Sequence, residues 1–393
     1  MLGTVQKNLN QNISEDKRIC IAIMSSFAIL TIQYLILTYF NLIGTSNANR
    51  IQLISKMIVG FFYLVALLPV LKRNKFKFLS VYFISIFIFL LNYLFFRENW
   101  TYLKTIIFPF FFICLPSLIY SYSINDWSVL KDIMKKTSLI VFIVGAIIGA
   151  LVFTNRAFVG VYSMALSYYM LLPTIVYMDE FLEKFTVRSI IIVLISLIII
   201  LALGSRGAIM CFGVFVILKL ITTKKKLNYK TILIYIIIIA LVIIILLFLD
   251  TILENLNNFL LQFGIHSRSI HLFLRDDVYL SGRDYLYEEM IEQIKNNPIF
   301  GIGLAGDRRV IGGYAHNIII EILANFGIIL GSILVFLLAI ITFKTLFSKN
   351  KEVSNFIAIW FSIGFIHLMV SSSYLIDFKF WVFIGLAIKG IKE

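Results

Sequence analysis

The chain has 393 residues, of which 60% are hydrophobic and 14% charged, with a mean hydropathy of +0.95 and a formal net charge of +14. A soluble fold needs a far more polar exterior, so that class is excluded. In a soluble protein the positive charge would point to nucleic acid. Here lysine-rich loops on the cytoplasmic side of a membrane account for it, and no nucleic-acid partner is expected.

Twelve apolar runs read as spans, at 19–43, 53–71, 78–96, 103–121, 138–153, 160–178, 189–203, 207–221, 231–249, 317–343, 355–373 and 378–390. The predicted fold is an all-α polytopic transmembrane helix bundle of about 12 spans, forming one domain over 1–393. The first run, Ile19 to Ile43, is too long for the apolar core of a removable leader, and no cleavage pattern follows it. Lysines crowd the loops after alternate spans: Lys72 with Lys75, Lys131 with Lys135 and Lys136, Lys224 to Lys226, and Lys344 to Lys351. All fall on one side if both termini are cytoplasmic, as expected of a multi-pass inner (plasma) membrane protein. Cys20, Cys114 and Cys211 lie in or beside apolar runs and form neither a disulfide framework nor a metal-ligand pattern.

The arginines partition the other way. Nine of the twelve fall on the external side: Arg50, Arg97, Arg156, Arg206, Arg268, Arg275, Arg283, Arg308 and Arg309. The long external loop, 250–316, holds five of them and a single lysine, Lys295. Arginine stays protonated and presents a planar fork that grips two phosphate oxygens at once, so the pattern points to a phosphate-bearing ligand. Snorkelling to lipid headgroups is the competing explanation, above all for Arg50, Arg97 and Arg156.

Within that loop, Ile252, Leu256, Phe259, Leu260 and Phe263 predict an amphipathic helix lying along the interface. Leu286, Met290 and Ile294 predict a second over 283–295, with Ser281-Gly282 as its cap and Pro298 ending it. Gly301, Gly303, Gly306, Gly312 and Gly313 follow, a run whose backbone amides can approach a ligand. The loop closes at Tyr314-Ala315-His316-Asn317, and Asn317, Glu321 and Asn325 then recur every fourth residue down the next span. Such a stripe faces a cavity or partner helices.

Of the four histidines, His266, His271, His316 and His367, only His316 adjoins both the glycine run and the polar stripe. An imidazole at a water-facing boundary suits proton transfer near neutral pH. A hydrogen-bonded interfacial histidine is the alternative. The external histidines match no zinc spacing, and no metal is expected. Arg206 sits in Gly204-Ser205-Arg206-Gly207, where it either marks the membrane boundary or points inward. Arg283 opens a helix, a position that favours anions, so its charge serves something other than helix stability.

Gly204-Ser205-Arg206-Gly207, Ser281-Gly282-Arg283, Asn297-Pro298-Ile299-Phe300-Gly301-Ile302-Gly303, His316-Asn317 and Gly327, in this order around one large loop, resemble the O-antigen ligase and O-antigen polymerase superfamily. The resemblance implies a glycosyltransferase without cofactor that acts on undecaprenyl-diphosphate-linked glycans at the outer face of the plasma membrane. It implies O-antigen or capsular polysaccharide as product, with a chain-length regulator and a flippase as partners beside the lipid bilayer. It further implies that Arg206 and Arg283 bind the diphosphate and that His316 activates the acceptor hydroxyl, with Glu321 and Asp307 as weaker candidates for the base. Arg268, Arg275, Arg308, Arg309, Tyr285, Asn317, Glu321, Gly301 and Gly303 would then line the substrate site. A tryptophan often found beyond the loop arginine is absent, and Tyr285 and Tyr287 are the nearest aromatic residues. A polymerase is the preferred expectation and a ligase the first alternative. A flippase for lipid-linked sugars is a third reading, disfavoured because the polar features gather at one face and no internal repeat is visible.

Overall fold

The computed structural model describes residues 2–154, 156–157, 163–203, 205–222, 249–274 and 283–393. Among them the chain is helical, with no strand. Hydrocarbon offers no partner for a backbone amide, so a segment that crosses it must bond to itself. In chain order the helices are α1 (Leu2–Tyr39), α2 (Ser46–Phe95), α3 (Trp100–Pro109), α4 (Leu115–Ser123), α5 (Trp127–Phe153), α6 (Met164–Glu183), α7 (Val187–Leu203) and α8 (Arg206–Thr222). They continue with α9 (Leu249–Leu261), α10 (Arg268–Phe273), α11 (Arg283–Asn296), α12 (Gly306–Ile311), α13 (Ile318–Leu346), α14 (Lys351–Trp360), α15 (His367–Val370) and α16 (Phe378–Gly390). π-helical turns at Phe110–Cys114 and Phe361–Ile366 join α3 to α4 and α14 to α15.

Six helices among the described residues are long and apolar enough to cross a membrane: Gln11–Tyr39, Ser46–Phe95, Arg97–Ser123, Trp127–Phe153, Ile318–Leu346 and Lys351–Val370. The expected count of about twelve is not reproduced as twelve such helices. Runs 160–178, 189–203, 207–221 and 378–390 fall on α6, α7, α8 and α16, which are not among the six, and run 231–249 lies outside the described residues. Runs 53–71 and 78–96 both fall on α2, whose one non-helical residue is Asn74 (φ −140°, ψ 38°). The contacts of α2 show a reversal there. Asn74 donates to Ser123 Oγ at the end of α4, while Tyr63 meets Ser117 Oγ at 2.6 Å and Tyr82 donates to the Phe111 carbonyl at 2.7 Å. Both arms therefore run back along the same helical segment from Asn74, and α2 is a hairpin of two antiparallel arms.

The chain packs as two compact units. The first comprises Met1–Leu30, Gln52–Ser138 and Leu280–Glu393. Its α2 hairpin tip is pinned to α1: Arg73 pairs with Glu15 at 3.0 Å and with Asp16 at 2.5 Å and donates to the Ser123 carbonyl. Helix α16 lies against α4, and α11 against α13 around Met290, Ile294, Ile302, Ala315 and Ala324. The second unit comprises Thr31–Ile51 and Leu139–Tyr279. Helices α6 and α7 pack there around Tyr177, Ile192 and Val193, and Lys219 on α8 forms a buried pair with Asp179 on α6.

The long loop expected over 250–316 is thus shared between units: α9 and α10 belong to the second, α11 and α12 to the first. Helices form where the periodicity predicted them. On α9, Leu253 and Leu260 are buried while Ile252 and Phe259 are exposed, and on α11 Met290 and Ile294 face the core. The expected cap of α11, Ser281-Gly282, lies outside the described residues.

Candidate functional site

The site in the first unit is built on a break in α13. That helix carries a non-helical residue, Gly327 (φ 75°, ψ 174°), in a region of backbone space essentially reserved for glycine. The break frees backbone groups that hydrocarbon cannot satisfy. The segment after α11 supplies their partners: Ile302 donates its amide to the Ala324 carbonyl at 2.7 Å, and the Pro298 carbonyl accepts from Ile328 at 2.7 Å. Gly301 (φ 68°) makes this docking possible, since a Cβ there would lie 2.3 Å from the Ala324 oxygen. The motif Asn297 to Gly303 and the distant Gly327 are two halves of one joint.

Asn92 and Asn99 hold the other side of the segment. Asn92 Oδ1 accepts from the Leu304 amide at 2.6 Å, and Asn99 donates to the Ile302 carbonyl at 2.8 Å. At Gly303 a Cβ would meet Phe96 and Asn92. The close approach that Gly301 and Gly303 allow is therefore to the protein's own helices.

Helix α12 starts from Ala305 and stops at Gly312, both left-handed. It carries a buried ionic cluster. Arg308 donates through Nη1 to Asp307 at 2.8 and 3.1 Å, and through Nη2 to Ser373 Oγ at 2.8 Å. Glu321 Oε1 lies 3.6 Å from Arg308 and accepts from Ser373 Oγ, while Glu321 Oε2 is buried without a hydrogen-bond partner among the described residues. Burial pushes the Asp307 carboxyl up against the pull of Arg308. One guanidinium thus serves two buried carboxyl groups, and Arg308 is occupied within the protein. Arg308→Gln leaves both without their cation, and by the usual cost of breaking a buried pair the folded state should lose about 3–5 kcal/mol. Thermal unfolding of the purified protein in detergent checks this, and an unchanged melting temperature would contradict the cluster's role.

The polar stripe of α13 faces inward below this cluster. Asn317 caps the helix, its Oδ1 accepting from Ile319 at 3.0 Å and Ile320 at 3.3 Å. Glu321 is fully buried, and Asn325 donates to the Tyr374 hydroxyl at 2.8 Å. Ser373 and Tyr374, between α15 and α16, close the stripe from the far side.

His316 stands between α12 and α13 with φ 55°, a left-handed conformation that histidine tolerates better than most residues. Its ring is 4.4 Å from that of Tyr314, and its Nδ1 is buried without a partner among the described residues. Burial first, and then the positive charge of Arg283, lower its pKa from 6.5 to about 4. The imidazole is therefore neutral at physiological pH and able to accept a proton. Arg283, at the start of α11, is half-buried. The structure accordingly brings His316 and Arg283 within electrostatic reach of each other, and sets Asp307, Arg308 and Glu321 in a closed cluster beneath. Arg309 is exposed and donates Nε to Asn99 Oδ1 at 2.9 Å, and Tyr285 is 67% exposed on α11.

Arg206 belongs to the second unit. It opens α8, half-buried, its Cζ 5.9 Å from the ring of Phe273 on α10. The turn before it is held by Ser167, whose Oγ accepts from the Ser205 amide at 3.1 Å, and by Ser205 Oγ accepting from Gly207 at 3.2 Å. Arg268 opens α10 in the same unit, and Arg275 lies outside the described residues. Sequence reasoning missed Asn92, Asn99, Ser373 and Tyr374. None stands near the loop motifs in the chain, and an asparagine or serine within an apolar run was the only available signal.

The described residues thus form a polytopic helical membrane protein in which a histidine of lowered pKa stands within electrostatic reach of an arginine, at the head of a broken, polar-striped helix. Residues 191–335 match the family described as O-antigen ligase. The match is consistent with the O-antigen ligase and polymerase superfamily, a family that implies a membrane enzyme of the glycosyltransferase type acting on polysaccharide. No individual curated protein matches the chain.

Proposed function

We propose that the protein is a metal-independent glycosyltransferase that polymerises undecaprenyl-diphosphate-linked repeat units into O-antigen or capsular polysaccharide at the outer face of the plasma membrane, with both termini cytoplasmic. The observation that carries this reading is the imidazole of His316, with a buried nitrogen that has no partner among the described residues, within electrostatic reach of the Arg283 guanidinium. In the proposed reaction an acceptor sugar hydroxyl attacks the anomeric carbon of the donor glycan. The bond from that carbon to the diphosphate oxygen breaks, the diphosphate leaves with the electron pair, and His316 takes the hydroxyl proton. Arg283 and Arg206 stabilise the charge that develops on the leaving group. The reading requires Arg206 to face the same substrate as His316. Spin labels at exposed positions flanking Arg206 and Arg283 measure that separation, and a distance too great for one diphosphate would sink the shared role. Arg268, Arg275 and Arg309, with Tyr285, would be outer contacts to sugar or phosphate.

A second reading, ligation of the glycan to a lipid A-core acceptor, is favoured by the description of the matching family. Purified protein in detergent, given lipid-linked repeat units with or without that acceptor, separates the two. Longer lipid-linked products show polymerisation and acceptor-linked products show ligation. Folded protein that yields neither, with chelator absent, would defeat the enzyme reading and leave transport.

The pH dependence follows from His316. The value of kcat/KM reports the free enzyme, so its acid limb should lie near pH 4 and not near 6.5. Bound diphosphate offsets the Arg283 charge, so the acid limb of kcat should lie higher. Because the folded value is depressed, the stability linked to His316 is complete above pH 6.5 and is lost as pH falls from 6.5 towards 4. An acid limb of kcat/KM at 6.5 would assign it to another group.

A further inference from the structure

At the opposite end of the first unit, the tip of the α2 hairpin, the α4–α5 turn and the end of α16 line an open cavity of about 410 Å³. Helix α16 begins beside Ser373 and Tyr374 and ends at this cavity, so by a rise of about 1.5 Å per residue the two sites lie roughly 20 Å apart along it. The cavity is lined by Arg73, Asn74, Tyr122, Asn125, Lys389, Lys392 and Glu393.

Its charge is unbalanced in a specific way. Arg73 is committed to Glu15 and Asp16, and Lys389 donates to the Ile124 carbonyl and lies 3.4 Å from Glu393. Lys77 and Lys392 differ. Both direct their ammonium groups at the single hydroxyl of Tyr122, at 2.5 and 2.8 Å, and both sit over its ring. Among the described residues neither meets a carboxylate, Lys77 having only Asn74 Oδ1 besides. Two ammonium groups drawn from chain positions 315 residues apart (392 − 77) repel each other at this range. The Tyr122 hydroxyl accepts from both, and an anion between them would offset the repulsion.

We infer that a phosphate-bearing anion binds at this cavity, held by Lys392 of its lining and by the neighbouring Lys77, with the Tyr122 hydroxyl as a further donor. The ligand is either the headgroup of an anionic lipid or a free phosphate compound. Lys77 and Lys392 are exposed, so the double variant Lys77→Gln/Lys392→Gln should fold. The control is Lys349→Gln/Lys351→Gln, two exposed lysines outside the cavity. Two measurements on the full chain apply. The first is native mass spectrometry of protein from nanodiscs mixing phosphatidylglycerol with phosphatidylcholine. The second is the melting shift with inorganic pyrophosphate in neutral detergent.

The wild type should retain phosphatidylglycerol over phosphatidylcholine, or bind pyrophosphate with a rise of several degrees. The double variant should bind at least tenfold more weakly, and the control should match the wild type. Retention of phosphatidylglycerol alone identifies a headgroup site, a shift with pyrophosphate alone identifies a soluble anion, and both together support the shared chemistry. No preference in either measurement, or equal losses in variant and control, would overturn the proposal. Neither readout depends on glycan transfer, so the result stands apart from that of the transfer assay.

Discussion

His316→Asn should lower glycan transfer by about 10²–10⁴-fold, the usual contribution of a positioned base, while leaving the melting temperature close to that of the wild type. Asparagine is the informative replacement because it also tolerates the left-handed backbone that His316 adopts, with φ 55°. His316→Ala removes the same nitrogen but adds the cost of placing alanine in that conformation, so it should lose as much activity and some stability as well. A merely structural histidine would show the reverse, with activity following stability across the pair. Transfer by His316→Asn within a factor of a few of wild type would remove the imidazole from the chemistry. Arg283→Gln adds a second check. Removing that charge should move the acid limb of kcat/KM upwards from about 4 while lowering the rate, because the guanidinium helps to hold the imidazole neutral.

Gly327→Ala should cost more stability than any of these changes, on the order of 4 kcal/mol or more. Two penalties combine. The residue's φ of 75° with ψ 174° admits essentially glycine alone, and an added Cβ would lie 2.4 Å from the Ile299 carbonyl oxygen, which is backbone and cannot swing aside. The break in α13 then closes or the 298–302 segment is expelled, and either outcome strands the Ala324 carbonyl or the Ile302 amide. Gly301→Ala meets the same obstacle from the other half of the joint and should behave alike. Gly313→Ala is the control, since nothing lies within 4 Å of its added Cβ. Thermal unfolding and limited proteolysis of the purified variants measure the difference. Wild-type melting of Gly327→Ala would show that the helix break is not what docks the loop.

Residue types and their periodicity were enough to determine the class of this protein. Apolar runs with lysine-rich loops after alternate spans can only be helices in a bilayer, because no other local structure satisfies its own backbone there. The amphipathic patterns of 252–263 and 283–295 were legible for the same local reason. So was the stripe Asn317, Glu321 and Asn325, whose four-residue repeat puts all three on one face. His316 stood out through its neighbours in the chain.

Pairings between distant residues were decided only in three dimensions. That Gly301 and Gly327 form one joint depends on carbonyls and amides 22 and 30 positions apart (324 − 302 and 328 − 298), and no spacing rule links them. That Arg308 is consumed by Asp307, Glu321 and Ser373 depends on a serine 65 residues away (373 − 308), so its side chain looked as available in the sequence as that of Arg283. The division of the 250–316 segment between two units is likewise a product of packing, whereas the reversal of α2 at Asn74 falls in the Lys72–Lys75 loop that separated runs 53–71 and 78–96 in the sequence. Hydropathy reports where each residue's side chain is comfortable. Which buried polar group finds which partner is settled by the fold as a whole, because an unpaired group in a low-dielectric interior is too costly to leave to local choice.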